Sequence, residues 1–401
     1  MKLRSGEPYW LLKNGIINSY PSLRENIACD VLVIGGGITG ALIAFQLSGE
    51  GYKVVIIDKR DVSLGSTCAT TALLQYEIDE PLYRLMDIVG KEAAMDSYRE
   101  GIASIKKLEK LVKKIGKECG FESKTSCHVA HDSESKEWLS KEFESRLTTG
   151  IDVRWLTEAQ LWNQYAVNGT GAIMSRSGAS VDGYRLAHNL MSYATQHYAL
   201  KIYDHTEAVN IEYDARKNYV YTEDSFLITT DAIVYATGYE TNSLLGDKIV
   251  NLNSTYACVS EPMASLPSHL SNTIFWDTQD PYLYMRSTSD KRIIVGGADE
   301  PFKHPIKRDS LIEKKTLALM EMFSEFMPTV NIIPDFCWAG TYGVTKDSLP
   351  YIGPHPDFPR SYFVLGFGGN GITFSVMGMK MISDALAGRS NKFLEYFKFE
   401  R

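Results

Sequence analysis

A short apolar run that ends in glycines constrains this chain more than any other feature. Val31 to Ile34 is rich in β-branched side chains, the pattern of a buried parallel strand. Gly35, Gly37 and Gly40 follow at G-x-G-x-x-G spacing. In such a turn the first glycine permits the bend, and the second lets the backbone approach a pyrophosphate. The third lets the next helix pack close to the strand. Ala41 to Leu47 reads as that helix, with Ile38 and Thr39 at its entry, and its N-terminal amides and dipole suit phosphate. Val54 to Ile57 reads as a second strand, closed by Asp58 and Lys59. Asp58 stands 18 residues after Gly40, where a carboxylate can accept from ribose hydroxyls. A lone glycine motif carries little weight. Strand, glycines, helix, strand and acid in this order read as a dinucleotide-binding βαβ unit.

The 401 residues leave room for a second domain. A formal net charge of -7 argues against a nucleic-acid partner, which would want a basic surface. No run of 18 apolar residues predicts a transmembrane helix, and Met1 to Tyr20 lacks the apolar core of a signal peptide. Cys29, Cys68, Cys119, Cys127, Cys258 and Cys337 are scattered, without a C-x-x-C pair or metal-ligand spacing. Reduced thiols in a cytoplasmic protein are therefore expected, and no metal site. Trp10, Leu11, Leu12, Ile16 and Ile17 predict an ordered N-terminal arm.

Along the chain, three- and four-residue apolar steps predict helices over 81–120, with six lysines between Lys106 and Lys117 on a solvated face. Ser126 to Ala130 reads as a strand. His128 and His131 there are expected to be structural or exposed, with no third metal ligand nearby. Gly178 to Tyr184 reads as a turn before a helix to Ala199. Strands are expected at Lys201–Tyr203, Ala208–Glu212 and Phe226–Tyr235, the last entering Ala236-Thr237-Gly238. Short aromatic-rich stretches between Thr255 and Gly297 predict an antiparallel sheet of at least four strands. Strand Tyr362–Leu365 then enters Gly366-Phe367-Gly368-Gly369-Asn370-Gly371-Ile372-Thr373, a glycine-rich helix start suited to an anion.

Three stretches carry a family likeness. Gly65-Ser66-Thr67-Cys68-Ala69-Thr70-Thr71 follows the ribose acid. Trp338-Ala339-Gly340 precedes Asp347-Ser348-Leu349-Pro350-Tyr351-Ile352-Gly353, and the glycine-rich helix start comes last. In these the chain resembles the D-amino-acid-oxidase-like (glycine and sarcosine oxidase type) family of FAD-dependent oxidoreductases. The resemblance implies an α/β fold: a Rossmann-like FAD domain of the glutathione-reductase type with an inserted antiparallel-sheet substrate domain. It divides the chain into 1–84, 150–248 and 335–401 for FAD, and 85–149 and 249–334 for substrate. It implies that Ser66, Thr67, Thr70 and Thr71 line the FAD and that Val209 meets the adenine. Ala236, Thr237 and Gly238 would form a second turn against the cofactor, with Gly340 and Gly368 to Thr373 near the flavin ring.

The same resemblance implies oxidation of the C–N bond of an amino acid or amine by hydride transfer to flavin N5. Activity would rise with pH as the amine loses its proton. Arg286 is the candidate for a substrate carboxylate, since its guanidinium forks to match one. Tyr284, Tyr282 or Tyr256 would assist, with Lys346 as a basic flavin partner. Relatives that bind flavin covalently use a Cys at the segment matching Gly340–Thr341 or a His in the Ser66–Thr67 loop. Neither is present, so FAD is expected to be non-covalent. Oxidase lysines are replaced at the positions matching Ile294 and Thr373, which leaves dioxygen or another electron acceptor open. Alternative readings are a dehydrogenase of a hydroxy acid or polyol phosphate, and a non-catalytic or RNA-modifying flavoprotein.

Overall fold

The computed structural model describes residues 2–245 and 249–401, with the side chains of Asn242 and Ser243 outside that description. Two sheets organise it. The first has eight strands. At its centre Ser361–Leu365, Leu227–Tyr235, Ile27–Ile34, Val54–Ile57 and Lys201–Tyr203 run parallel in that order. Tyr351–Pro354 adds an antiparallel edge, and a hairpin of Ala208–Tyr213 and Asn218–Thr222 joins the start of Leu227–Tyr235.

The expected βαβ unit is present, with its helix spanning Ile38–Gly49. That helix is buried on nearly all sides. It packs against helices Gly183–His197 and Gly371–Leu386 over the sheet. Gly35 adopts φ +108° beneath the Ala236 carbonyl, and a Cβ on Gly40 would stand 1.9 Å from the Gly35 carbonyl oxygen. Strand and helix therefore meet at a distance that only glycine permits.

The second sheet has nine strands, in the order Pro334–Val344, Asn251–Ser260, Ile293–Pro301, Leu283–Ser287, Thr273–Asp277, Glu122–Ala130, Gly171–Ser180 and Leu73–Leu74. Val153–Thr157 pairs with Gly171–Ser180. All pairings are antiparallel except Glu122–Ala130 with Thr273–Asp277. The four strands expected from the aromatic-rich stretches are all in this sheet, joined by five more. Gly178 to Ser180, read as turn, are the end of a strand.

The division into domains also differs from expectation. Val153–Thr157 and Gly171–Ser180, expected with the FAD domain, lie in the second sheet. Helix Lys91–Ile115, expected with the substrate domain, packs against helix Gly371–Leu386 in the core over the first sheet. Burial follows three-dimensional neighbours and not chain order, so a division by sequence segments misplaces both. Residue 248, the last of the expected FAD segment, lies outside those described. The lysines of helix Lys91–Ile115 are exposed apart from a half-buried Lys107.

The N-terminal arm is ordered. Arg4 forms a bridge with Gly340, and helix Tyr9–Asn14 buries Tyr9 and Trp10. Trp10 Nε1 donates to the Thr70 carbonyl at 2.6 Å. Among the described residues no helix is long and apolar enough to cross a membrane.

The Gly40 approach yields a stability prediction. Gly40→Ala forces strand and helix apart and is expected to cost about 3 kcal/mol. A urea unfolding midpoint unchanged from the parent would contradict it.

Candidate active site

Two glycine-opened helix starts meet between the sheets. Thr39 and Ser375 hydroxyls are 2.8 Å apart, joining the first turns of helices Ile38–Gly49 and Gly371–Leu386. Ser375 Oγ also donates to the Gly371 carbonyl. The turn Ser66–Ala69 is locked to the first of these helices, because Thr67 Oγ1 accepts from the Ile38 amide at 3.0 Å. The first amides of a helix have no partner within it, and both dipoles place positive ends here. Asp58, at the end of its strand, accepts from the Gly36 and Arg60 amides at 2.8 and 2.9 Å. Enclosure raises its carboxyl above the ordinary range, against those two donors.

These elements bound a cavity of about 710 Å³. Of the residues expected to hold the cofactor, Gly35, Gly37, Ile38, Thr39, Asp58, Lys59, Ser66, Thr67, Thr70 and Thr71 line it. So do Ala236, Thr237, Gly238, Gly340, Gly368, Gly369, Asn370, Gly371 and Ile372. Gly40 stands behind Gly35, and Thr373 donates to the carbonyl of the lining residue Gln75 at 3.0 Å. Val209, whose backbone is the part expected to meet the adenine, is 59% exposed and lies outside the lining, between Ala208 and Ile211, which belong to it.

The expected catalytic set is mostly corrected. Tyr282 and Tyr284 line the cavity with ring centroids 5.8 Å apart. Gly296 makes room for the second ring, since a Cβ there would come within 2.4 Å of it. Arg286 shares their face of the strand but lies one pleat farther, about 7 Å along. There it is buried outside the cavity lining, donating to the Val181 carbonyl at 2.9 Å with its guanidinium 5.1 Å from the Trp10 ring. Tyr256 lies between Thr255 and Ala257, which line the cavity, so pleat alternation turns it away, toward Lys315. Lys346 lies beyond the strand end, exposed, and donates to the Arg401 carbonyl.

The far end of the cavity holds residues that the sequence did not single out. The segment Gln75 to Asp79 braces the glycine-rich loop. Asn370 Nδ2 donates to the Glu77 carbonyl at 2.6 Å, and the Gly369 amide donates to Asp79 Oδ2 at 3.0 Å. Glu77 accepts from Ser126 Oγ at 2.9 Å and faces Arg146 at 3.4 Å. Arg146 Nε donates to Glu142 at 2.7 Å. His128, expected to be structural or exposed, lines the cavity and stacks on Trp276 at 3.5 Å. Burial and the nearby Arg146 hold its imidazole well below its usual range, hence neutral.

Asp277 closes its strand, accepts from the Leu283 amide at 2.9 Å, and leaves Oδ2 without a hydrogen-bond partner. Desolvation pushes the carboxyl of the sealed Asp277 up to about 6 and raises that of Asp79, which is open to the cavity. The usable signal was Glu77 and Asp79, two residues apart just after the hydroxyl-rich loop.

The family model for FAD dependent oxidoreductases (DAO) matches residues 30–385. The chain belongs to this family. Among relatives of the DAO chain, glycine oxidase of Geobacillus kaustophilus (strain HTA426) is 23% identical over 375 residues, covering 91% of this chain and 94% of that protein. The crystal structure of glycine oxidase from Geobacillus kaustophilus matches with a TM-score of 0.77 at 20% identity, covering 91% of this chain and 96% of the other. L-proline dehydrogenase from P. horikoshii matches with a TM-score of 0.78 at 20% identity, covering 94% and 97%. At these identities the structures establish the shared fold. The DAO chain is an FAD-dependent oxidoreductase, and its cavity fits that cofactor. Two helix starts face it, Asp58 stands at the strand end, and Gly35, Gly36 and Gly37 present no Cβ to fill the approach.

Asp277 gives a signed pH prediction. Its folded carboxyl titrates near 6, against an ordinary 3.8, so ionisation weakens the fold as pH rises from about 4 through 6. Asp277→Asn keeps the oxygen that Leu283 needs and removes that charge. In the protein without ligand it is expected to stabilise by about 3 kcal/mol at pH 8 and by well under about 1 kcal/mol at pH 4. Denaturant midpoints at the two pH values check this.

Proposed function

We propose that this chain oxidises the C–N bond of an amino acid or amine to an imine. The observation that carries this is the Tyr282–Tyr284 wall on the second sheet, facing across one cavity the two helix starts suited to FAD. The family, and the amino acids in the names of its glycine oxidase and L-proline dehydrogenase likenesses, support the reaction class. FAD, when bound, supplies the two-electron acceptor for the substrate C–H bond.

The chain's own residues position and screen. Ser66, Thr67, Thr70 and Thr71, the Ala236–Gly238 turn and the loop Gly368–Ile372 would hold the cofactor. Asp58 is the acceptor for its ribose. Tyr282, Tyr284 and Trp276 wall the substrate and exclude water. His128, neutral and stacked, adds no charge. The substrate amine sheds its proton before oxidation, and the carboxylates Asp79 and Asp277 are the nearby groups that titrate toward neutral pH. A polyol phosphate would want cations at the far end, and the two basic candidates for it, Arg286 and Lys346, lie outside the lining.

Non-covalent FAD is part of this reading. Among the described residues none of the six cysteines lines the cavity, which supports it. Cys68, nearest in sequence to the cofactor loop, is fully buried, and desolvation pushes its thiol up to about 11.

Two measurements test the proposal. Acid precipitation of the yellow protein is expected to leave all flavin in the supernatant, and a pellet that keeps its flavin absorbance refutes non-covalent binding. Under argon, an amine or amino acid is expected to bleach the flavin band, faster as pH rises. Bleaching by a hydroxy acid or glycerol phosphate, and by no amine, overturns the assignment. Admitting air then shows whether dioxygen or another acceptor takes the electrons.

A further inference from the structure

The far end of the cavity is built for positive charge. Three carboxylates line it: Glu77, Asp79 and Asp277. Two are nearly sealed in protein, Glu77 at 4% and Asp277 at 3% exposure. Each nevertheless keeps one oxygen, Glu77 Oε2 and Asp277 Oδ2, without a hydrogen-bond partner. A buried carboxylate oxygen without a donor is costly, and sites that retain one commonly hold it for a ligand.

The cations do not balance these acids. Among the described residues Lys59, Arg60 and Arg146 line the cavity. Lys59 and Arg60 flank Asp58 at the nucleotide end and pair with Glu240 at 3.3 Å each. Arg146 is at the far end, held by Glu142 at 2.7 Å and Glu77 at 3.4 Å, so one guanidinium already serves two carboxylates. No free guanidinium is left for a substrate carboxylate, and Arg286, which could have offered one, is turned into the Trp10 contact.

The acids sit on different walls. Asp79 is tied to the glycine-rich loop by the Gly369 amide, whereas Asp277 ends the strand Thr273–Asp277 beside the Leu283 amide. Tyr282, Tyr284 and Trp276 line the same cavity, and aromatic faces attract a desolvated ammonium through their π clouds. Behind Tyr342, whose hydroxyl donates to Asp299 at 2.7 Å, lies a further carboxylate.

We propose that the substrate is an aliphatic diamine or polyamine without a carboxylate, its two nitrogens spanning the Asp79 and Asp277 walls across the aromatic faces. The proposal rests on the C–N oxidation reading for what becomes of the nitrogen at the flavin end. The recognition itself needs no chemistry.

The test therefore separates binding from oxidation. Calorimetry on the oxidised holoenzyme compares a bis-quaternary probe, 1,4-bis(trimethylammonio)butane, with glutarate; the quaternary nitrogens have no lone pair to release. The bis-cation is expected to bind at least tenfold more tightly, and Asp277→Asn, a substitution expected to leave the fold intact, to weaken it about tenfold. Asp79→Asn serves as the second variant. Glutarate binding as tightly, or neither probe binding, overturns the proposal whatever the enzyme oxidises. Anaerobic bleaching then compares 1,4-diaminobutane with 4-aminobutanoate, glycine and L-proline. Half-bleaching by the diamine at a tenth of the concentration supports the substrate class, and an amino acid equalling it overturns it. Tight bis-cation binding with no bleaching by any amine would uphold the recognition while sinking the oxidation reading.

Discussion

The close contact between Gly40 and the Gly35 carbonyl sets the position of everything around the cofactor cavity. It seats helix Ile38–Gly49 against its strand. That seat places Thr39 against Ser375 and so fixes a second helix start beside the first. Thr67 then closes on the Ile38 amide, and the hydroxyl-rich turn takes its place along the same cavity. Backbone approach, not side-chain bulk, sets these distances, which is why a single methyl group is enough to disturb them.

The cofactor half of the site was legible because its signals are local. Glycine spacing, a β-branched run and an acid at a fixed offset all lie within 30 residues, and nearly every residue named from them lines the cavity. The second sheet was only partly legible. Its aromatic strands show in the sequence, but their partners do not: Leu73–Leu74 pairs with Ala179 and Ser180, and Glu122–Ala130 pairs with Thr273–Asp277. Such pairings depend on tertiary closure, which leaves little local trace.

The substrate half was the least legible for the same reason. Its wall draws Glu77, His128, Trp138 and Asp277 from four separate segments. Arg286 shows how a sound local argument fails. Its parity along the strand matches Tyr282 and Tyr284, but the cavity stops before reaching it and the N-terminal arm covers it. Tyr256 fails on parity itself, as its lining neighbours Thr255 and Ala257 make plain. Charge, read residue by residue, suggested a carboxylate-binding pocket. Charge read over the assembled walls is negative.

The second sheet is stitched from pieces at 73–74, 122–130, 153–180, 251–301 and 334–344, interleaved with strands of the first. The segment carrying Glu77 and Asp79 is also the one that braces the glycine-rich loop through Asn370 and Gly369. The pocket wall is therefore not a cassette. It cannot be excised, swapped with a relative's or transplanted as one contiguous block. Retargeting an enzyme of this architecture means exchanging side chains in place, and the one at 79 carries its grip on the cofactor loop along with it, whereas 77 holds that loop through its backbone carbonyl.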